Sequence, residues 1–165
     1  VPNSRLLVLA NRGGHAERRF GELASAGGID PGRIEFFDKC PRARFYQLVQ
    51  QADLALDPFP FNGHTTTCDA IWLGVPVVML QGTAYASRFG SSVLAGVGLD
   101  DFIARSTDEY VELAVGLASD RDRLAALRAE LRPRMAESVL LDFAGFARKV
   151  EAAYRQMWRD WCQSQ

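Results

Sequence analysis

The sequence predicts an α/β domain built on a doubly wound parallel sheet. Apolar runs of strand length alternate with stretches of helical periodicity, Gly or Pro punctuates most junctions, and after about residue 106 the pattern turns to helix alone. Strands that alternate with helices form right-handed βαβ units, which place ligands outside the carboxyl ends of the strands.

Arg5-Leu6-Leu7-Val8-Leu9 is a continuous apolar run, as expected of a strand covered on both faces. Asn11-Arg12-Gly13-Gly14 breaks it, and a helix from Ala16 to Ala26 ends at Gly27-Gly28. Arg33-Ile34-Glu35-Phe36-Phe37 is the second strand, and Pro41 opens a helix over Arg42 to Gln51. Leu54-Ala55-Leu56 is the third strand, followed by a helix from Thr66 to Leu73 that Gly74 and Pro76 stop. Val75 to Leu80 forms the fourth strand, Ser87 to Ala95 a helix ending at Gly96, and Asp101-Phe102-Ile103 a short edge strand. Three helices close the chain: Thr107 to Ser119, Arg121 to Met135 and Asp142 to Trp161. Ser106 and Ser119-Asp120 cap the first two, and Pro133 is expected to kink or end the second near Arg132.

At 165 residues the chain is long enough for one domain with a real core, and its 48% apolar and 24% charged residues are ordinary for a globular fold. A net charge of −1 leaves no electrostatic footprint for nucleic acid or an anionic membrane. No apolar run reaches membrane-spanning length, and the polar start Val1-Pro2-Asn3-Ser4 has no basic signal-peptide region. The missing initiator Met suggests a piece of a longer protein. Cys40, Cys68 and Cys162 are an odd, widely spaced set, which argues against a disulfide framework or zinc site and fits a cytoplasmic location.

The stretch after the third strand, Asp57-Pro58-Phe59-Pro60-Phe61-Asn62-Gly63-His64-Thr65-Thr66, carries the strongest chemical signal. A Pro/Gly-broken loop that opens a helix aims unpaired backbone N–H groups and the positive end of the helix dipole at one point, a ready site for phosphate. Gly63 permits close backbone approach, Thr65 and Thr66 offer amides, and Asp69, one turn deeper, can accept from a ribose hydroxyl. On residue types alone an ordinary Gly turn and helix cap is an equal reading. His64 reads either as a loop histidine bonded to a carbonyl, the preferred reading on residue type alone, or as a donor to phosphate or a proton shuttle. Asp57 is expected to cap the loop by accepting from local N–H groups, since a free carboxylate beside a phosphate would repel it.

The segment Lys39 to Phe45 shares that edge: Arg42 or Arg44 can pair with ribose or phosphate, Phe45 can stack on a base, and for Arg44 a solvated basic loop is the preferred reading. Gln81 to Arg88 is a second Gly loop on the same edge. Core packing is the expectation for Trp72, Trp158 and Trp161, and solvent exposure for His15.

Taken together, Ala52 to Asp57, Asn62-Gly63-His64-Thr65-Thr66 and Asp69 to Val78 resemble the catalytic region of the O-GlcNAc transferase/SPINDLY family of protein glycosyltransferases. Ala86-Ser87-Arg88, Glu109-Tyr110, Tyr154 to Trp158 and the opening Val1 to Ser4 are similar too, so the likeness runs from end to end. The resemblance implies the Rossmann-like C-terminal lobe of a two-lobed GT-B enzyme with extra C-terminal helices. Residues 1–165 are then a single nucleotide-sugar-binding lobe, with an N-terminal lobe and tetratricopeptide helices outside it. It implies metal-free transfer of a sugar from a nucleotide sugar to Ser/Thr or Asn of a protein, a UDP-sugar being favoured and a GDP-sugar the alternative.

By motif, Asn62, Gly63, His64, Thr65 and Thr66 would hold the diphosphate, and Asp69 the ribose or sugar side. Arg42 stands where the animal enzymes have a ribose-binding lysine, and Phe45 where they have a histidine stacked on uracil. Leu48 stands where they have an arginine, so one polar contact is absent and the base stays open. No catalytic residue is assigned within the chain beyond His64 as a candidate donor to the diphosphate. The acceptor-binding parts and the family's Gln/Lys segment, which stabilises the leaving diphosphate, fall outside it, so the isolated chain is expected to be inactive. A non-catalytic nucleotide-binding or assembly module on the same fold is the alternative, and a plain α/β scaffold the third.

Overall fold

The computed structural model describes residues 1–164. Strand β1 (Leu6–Leu9) is followed by α1 (His15–Ala26), β2 (Ile34–Phe37), α2 (Arg42–Val49), β3 (Ala55–Leu56) and α3 (Thr65–Trp72). Then come β4 (Val77–Leu80), α4 (Phe89–Gly96), β5 (Ile103–Ala104) and the helices α5 (Thr107–Ser119), α6 (Arg121–Ala136) and α7 (Phe143–Gln163). Every strand pair is parallel, so the expected α/β class is the one observed.

The strands fall into two hydrogen-bonded pieces, β1-β2 and β3-β4-β5, rather than one continuous ladder. In the first piece Leu6 pairs with Ile34; in the second, Ala55 pairs with Val77 and Met79 with Ile103. β3 is only two residues long, since Leu54 precedes the ladder and Asp57 turns away from it. The Asp57 N–H still donates to Val78 O at 2.9 Å, which fixes where the following loop departs.

The core is one cluster running from Ala70 to Met135, with Ile71, Val78, Met79, Leu94 and Leu131 fully buried. All four residues of β4 are buried, as a central parallel strand covered by helices on both faces requires. Side-chain caps fix the late helices: Ser106 accepts from Glu109 N–H, Asp120 from Arg123 N–H and Asp142 from Gly145 N–H.

Several boundaries shift. α2 stops at Val49, and α3 begins at Thr65, not Thr66. Tyr85–Ser87 is a separate 3-10 turn before α4; the expected edge strand is present as β5 but begins only at Ile103, its first two residues lying in a 3-10 turn, Asp100–Phe102. Pro133 does not end α6, which runs on to Ala136. Leu131 and Met135, buried on either side of it, hold the last turn against the core, and that packing outweighs one missing N–H.

The tryptophans are not core residues. Trp72 is partly exposed beneath the Arg132 guanidinium, 4.7 Å from its ring. Trp158 and Trp161 are 64% and 54% exposed and stack on each other at 5.2 Å on α7. Helical spacing gave them a shared face, but Gly145 is the sole buried residue of that helix. His15 is exposed, as expected.

Gly74 closes α3 with φ of +81°, and a Cβ there would lie 2.8 Å from Arg128 O on α6. Arg128 in turn donates to Gln50 O and Ala52 O and so ties α6 to the end of α2. Gly74→Ala is expected to cost about 2–3 kcal/mol, combining left-handed strain with a backbone clash, read as a lower urea midpoint at unchanged slope.

Candidate functional site

The loop between β3 and α3 is organised by two buried polar side chains. Asp57, 4% exposed, accepts from Gly63 N–H at 2.7 Å and from the Thr67 hydroxyl at 3.3 Å. This is the loop-capping role its position suggested. Burial pushes the Asp57 carboxyl above its usual range, opposed by the Gly63 amide and the Thr67 hydroxyl. The Tyr110 hydroxyl donates to the Asp57 backbone carbonyl, and burial, then the Asp57 charge, pushes its pKa up to about 12.

Asn62 is fully buried. Its Nδ2 donates to Pro58 O at 3.3 Å and Leu80 O at 3.4 Å, and its backbone N–H donates to Ala86 O at 3.0 Å. It thus joins the loop after β3 to the end of β4 and to the loop before α4. Its Oδ1 is buried with no donor among the described residues.

Above these braces stands the N-terminus of α3. His64 occupies the cap position but makes no side-chain cap bond, and its exposed ring leans on Phe89 at 5.4 Å. The backbone N–H groups of Thr65 and Thr66 have no partner among the described residues, and both side chains are exposed. Gly63 is needed where it stands: a Cβ would sit 2.6 Å from Thr67 Oγ1 and 2.7 Å from Thr66 Oγ1. The result is an open amide cradle at the positive end of a helix dipole.

Asp69 lies four residues after Thr65, on the same face of α3. Its Oδ1 accepts from the Tyr46 hydroxyl at 3.0 Å and lies 3.5 Å from Arg42 Nη2. The Arg42 guanidinium also donates through Nε to the Tyr46 oxygen and sits 5.1 Å from the Tyr46 ring centre. It is shifted further above its ordinary value, first through Tyr46 and then by the charge of Asp69. Phe45, half-buried beside them, has its ring 6.0 Å from that of Tyr46. Leu48 is in the core, and Arg44 is exposed and bonded to Gln47. Cys68 lies behind the cradle, its thiol pushed up by burial and then by Asp69.

The structure therefore gathers the predicted residues into two adjoining groups, the cradle at Asn62 to Thr66 and the cluster of Arg42, Phe45 and Asp69. Sequence reasoning missed Tyr46, which links Arg42 to Asp69; its i, i+4 spacing from Arg42 was the available signal. It also missed the aromatic group in which Phe61, Tyr85 and His64 all approach Phe89. Among the described residues no group of three or more His, Cys, Asp or Glu side chains could hold a metal ion, and no helix is long and apolar enough to cross a membrane.

The sequence profile described as Glycosyl transferase family 41 matches residues 1–150. The chain belongs to this family. The family-41 chain is 40% identical, over 98% of its length, to a protein of Petunia hybrida named as a probable UDP-N-acetylglucosamine–peptide N-acetylglucosaminyltransferase SPINDLY. It is 36% identical, over 80% of its length, to the UDP-N-acetylglucosamine–peptide N-acetylglucosaminyltransferase of Caenorhabditis elegans. It spans 18% and 12% of those two proteins. Among solved structures, a K341M mutant of the Thermobaculum terrenum O-GlcNAc transferase superposes on 99% of the family-41 chain with a TM-score of 0.88 and 36% identity, through 32% of its own length.

Proposed function

We propose that residues 1–165 are the nucleotide-sugar donor lobe of a longer, metal-independent protein glycosyltransferase that acts on Ser/Thr or Asn side chains. One observation carries this reading: the open amides of Thr65 and Thr66, braced by Asp57, lie one helical turn from the Arg42–Asp69 cluster. That spacing suits a diphosphate joined to a ribose. In the transfer, the bond between the sugar C1 and the diphosphate oxygen breaks, and an acceptor oxygen or nitrogen bonds to C1. The acceptor gives its proton to a base outside these residues, and negative charge gathers on the departing diphosphate. The cradle amides and the α3 dipole meet that charge, with the His64 ring beside them as a further donor. Asn62 and Gly63 shape the cradle, Arg42 and Asp69 hold the ribose, and Phe45 offers a face to the base. A UDP-sugar is the favoured donor, in keeping with the names of the relatives, and a GDP-sugar the alternative.

Calorimetric titration of residues 1–165 with UDP, GDP and their sugars tests the reading. Binding of one diphosphate in the micromolar to millimolar range, without transfer to peptide by the chain alone, is the expected result. No binding of any nucleotide at millimolar concentration would overturn it. Binding without turnover once the remainder of the protein is present would instead assign a non-catalytic module.

A further inference from the structure

The Arg42–Tyr46–Asp69 cluster contains one member that the proposed donor site does not yet use. Arg42 is an exposed side chain at 73%, whereas Asp69 is mostly enclosed at 19%. A long exposed arginine ordinarily samples many rotamers, and ordering it at a ligand opposes binding. Here Tyr46 restrains it twice. Its ring lies under the guanidinium, and its oxygen accepts from Arg42 Nε. The same hydroxyl donates its proton to Asp69 Oδ1 at 3.0 Å, so one phenol bridges the guanidinium and the carboxylate. Tyr46 and Arg42 are four residues apart on α2, and the contact to Asp69 crosses to α3. The link therefore also sets how the two helices present their polar groups.

Because Tyr46 and Arg42 both engage Oδ1, Asp69 keeps Oδ2 as an acceptor for a ligand hydroxyl, and Arg42 keeps Nη1 as a donor. An acceptor and a donor held side by side match a vicinal diol. One hydroxyl gives its proton and the other receives one. We propose that Tyr46 is a positioning residue, which fixes Arg42 and Asp69 as a paired donor and acceptor for the diol of the donor's ribose. The proposal rests on the nucleotide-sugar reading above. It assigns to Tyr46 the discrimination between a ribose and a 2′-deoxyribose.

The test measures the affinities of UDP and 2′-deoxy-UDP, or GDP and its 2′-deoxy form if GDP binds better, for residues 1–165 and for Tyr46→Phe. Phenylalanine keeps the ring under Arg42 and removes only the hydroxyl. The expected result is about a five- to tenfold loss for the ribonucleotide, much less for the deoxynucleotide, and a thermal midpoint within about 1 °C of the parent chain. Asp69→Asn should remove the same discrimination, and the double variant should be no worse than Asp69→Asn alone. An unchanged ratio of the two affinities in Tyr46→Phe overturns the proposal, whether both affinities stay level or fall together. If the parent chain binds no nucleotide at all, the donor-site reading itself fails and takes this inference with it.

Discussion

Gly63→Val is expected to lower nucleotide affinity by about a hundredfold or more, roughly 2.7 kcal/mol, while most helical signal survives. Even the first carbon of a side chain at this position would meet Thr67 Oγ1 at 2.6 Å and Thr66 Oγ1 at 2.7 Å. Thr66 is exposed and can rotate away. Thr67 cannot readily do so, because it is buried and its hydroxyl is bonded to Asp57. The first turn of α3 must then move, and with it the amides of Thr65 and Thr66 proposed to face the diphosphate. Gly63→Ala should change affinity in the same direction by less. Calorimetry with UDP and GDP, alongside far-ultraviolet circular dichroism, checks both; an unchanged affinity in Gly63→Val would remove the cradle from the donor site.

Asp57→Ala is expected to destabilise the fold by about 2–3 kcal/mol, because it leaves the Gly63 amide and the Thr67 hydroxyl without their acceptor. Asp57→Asn keeps an oxygen for Gly63 and should cost about 1 kcal/mol or less at neutral pH. The two variants part further with pH. The folded carboxyl has its pKa raised above the ordinary 3.8, chiefly by burial, so the folded state holds its proton more readily than the unfolded chain. Between 3.8 and that raised value the folded state binds more protons, and stability falls as pH rises. Below this window the contribution is fully present, and above it the contribution is lost. Asp57→Asn should flatten this part of the stability curve, measured as urea midpoints across the acid range.

The alternation of strands and helices was legible because apolar runs between Gly and Pro leave a local mark. Asp57 was legible as a loop cap for the same reason: its partners, Gly63 and Thr67, lie within ten residues. The break between the β1-β2 and β3-β4-β5 pieces leaves no such mark, since it depends on which strands meet in space. The tryptophans show the matching limit. Periodicity on α7 specifies an apolar face, but Trp158 and Trp161 are exposed because no described element packs over it. Pro133 does not end α6, because buried Leu131 and Met135 on either side of it outweigh the local rule. In the site, the cradle and the Arg42–Asp69 cluster were each visible as residue types, whereas Tyr46 acts through a contact between two helices.

The Asn62 clamp has a thermodynamic consequence. One carboxamide holds Pro58 and Leu80 together, and the backbone amide of the same residue holds Ala86. Three stretches of chain that would otherwise fluctuate separately are joined at one buried point beneath the cradle. The conformational freedom that a mobile phosphate loop would surrender on meeting its ligand is here surrendered during folding. The amides of Thr65 and Thr66 are thus oriented by the fold itself, and a diphosphate bound there as proposed would have mainly to displace water.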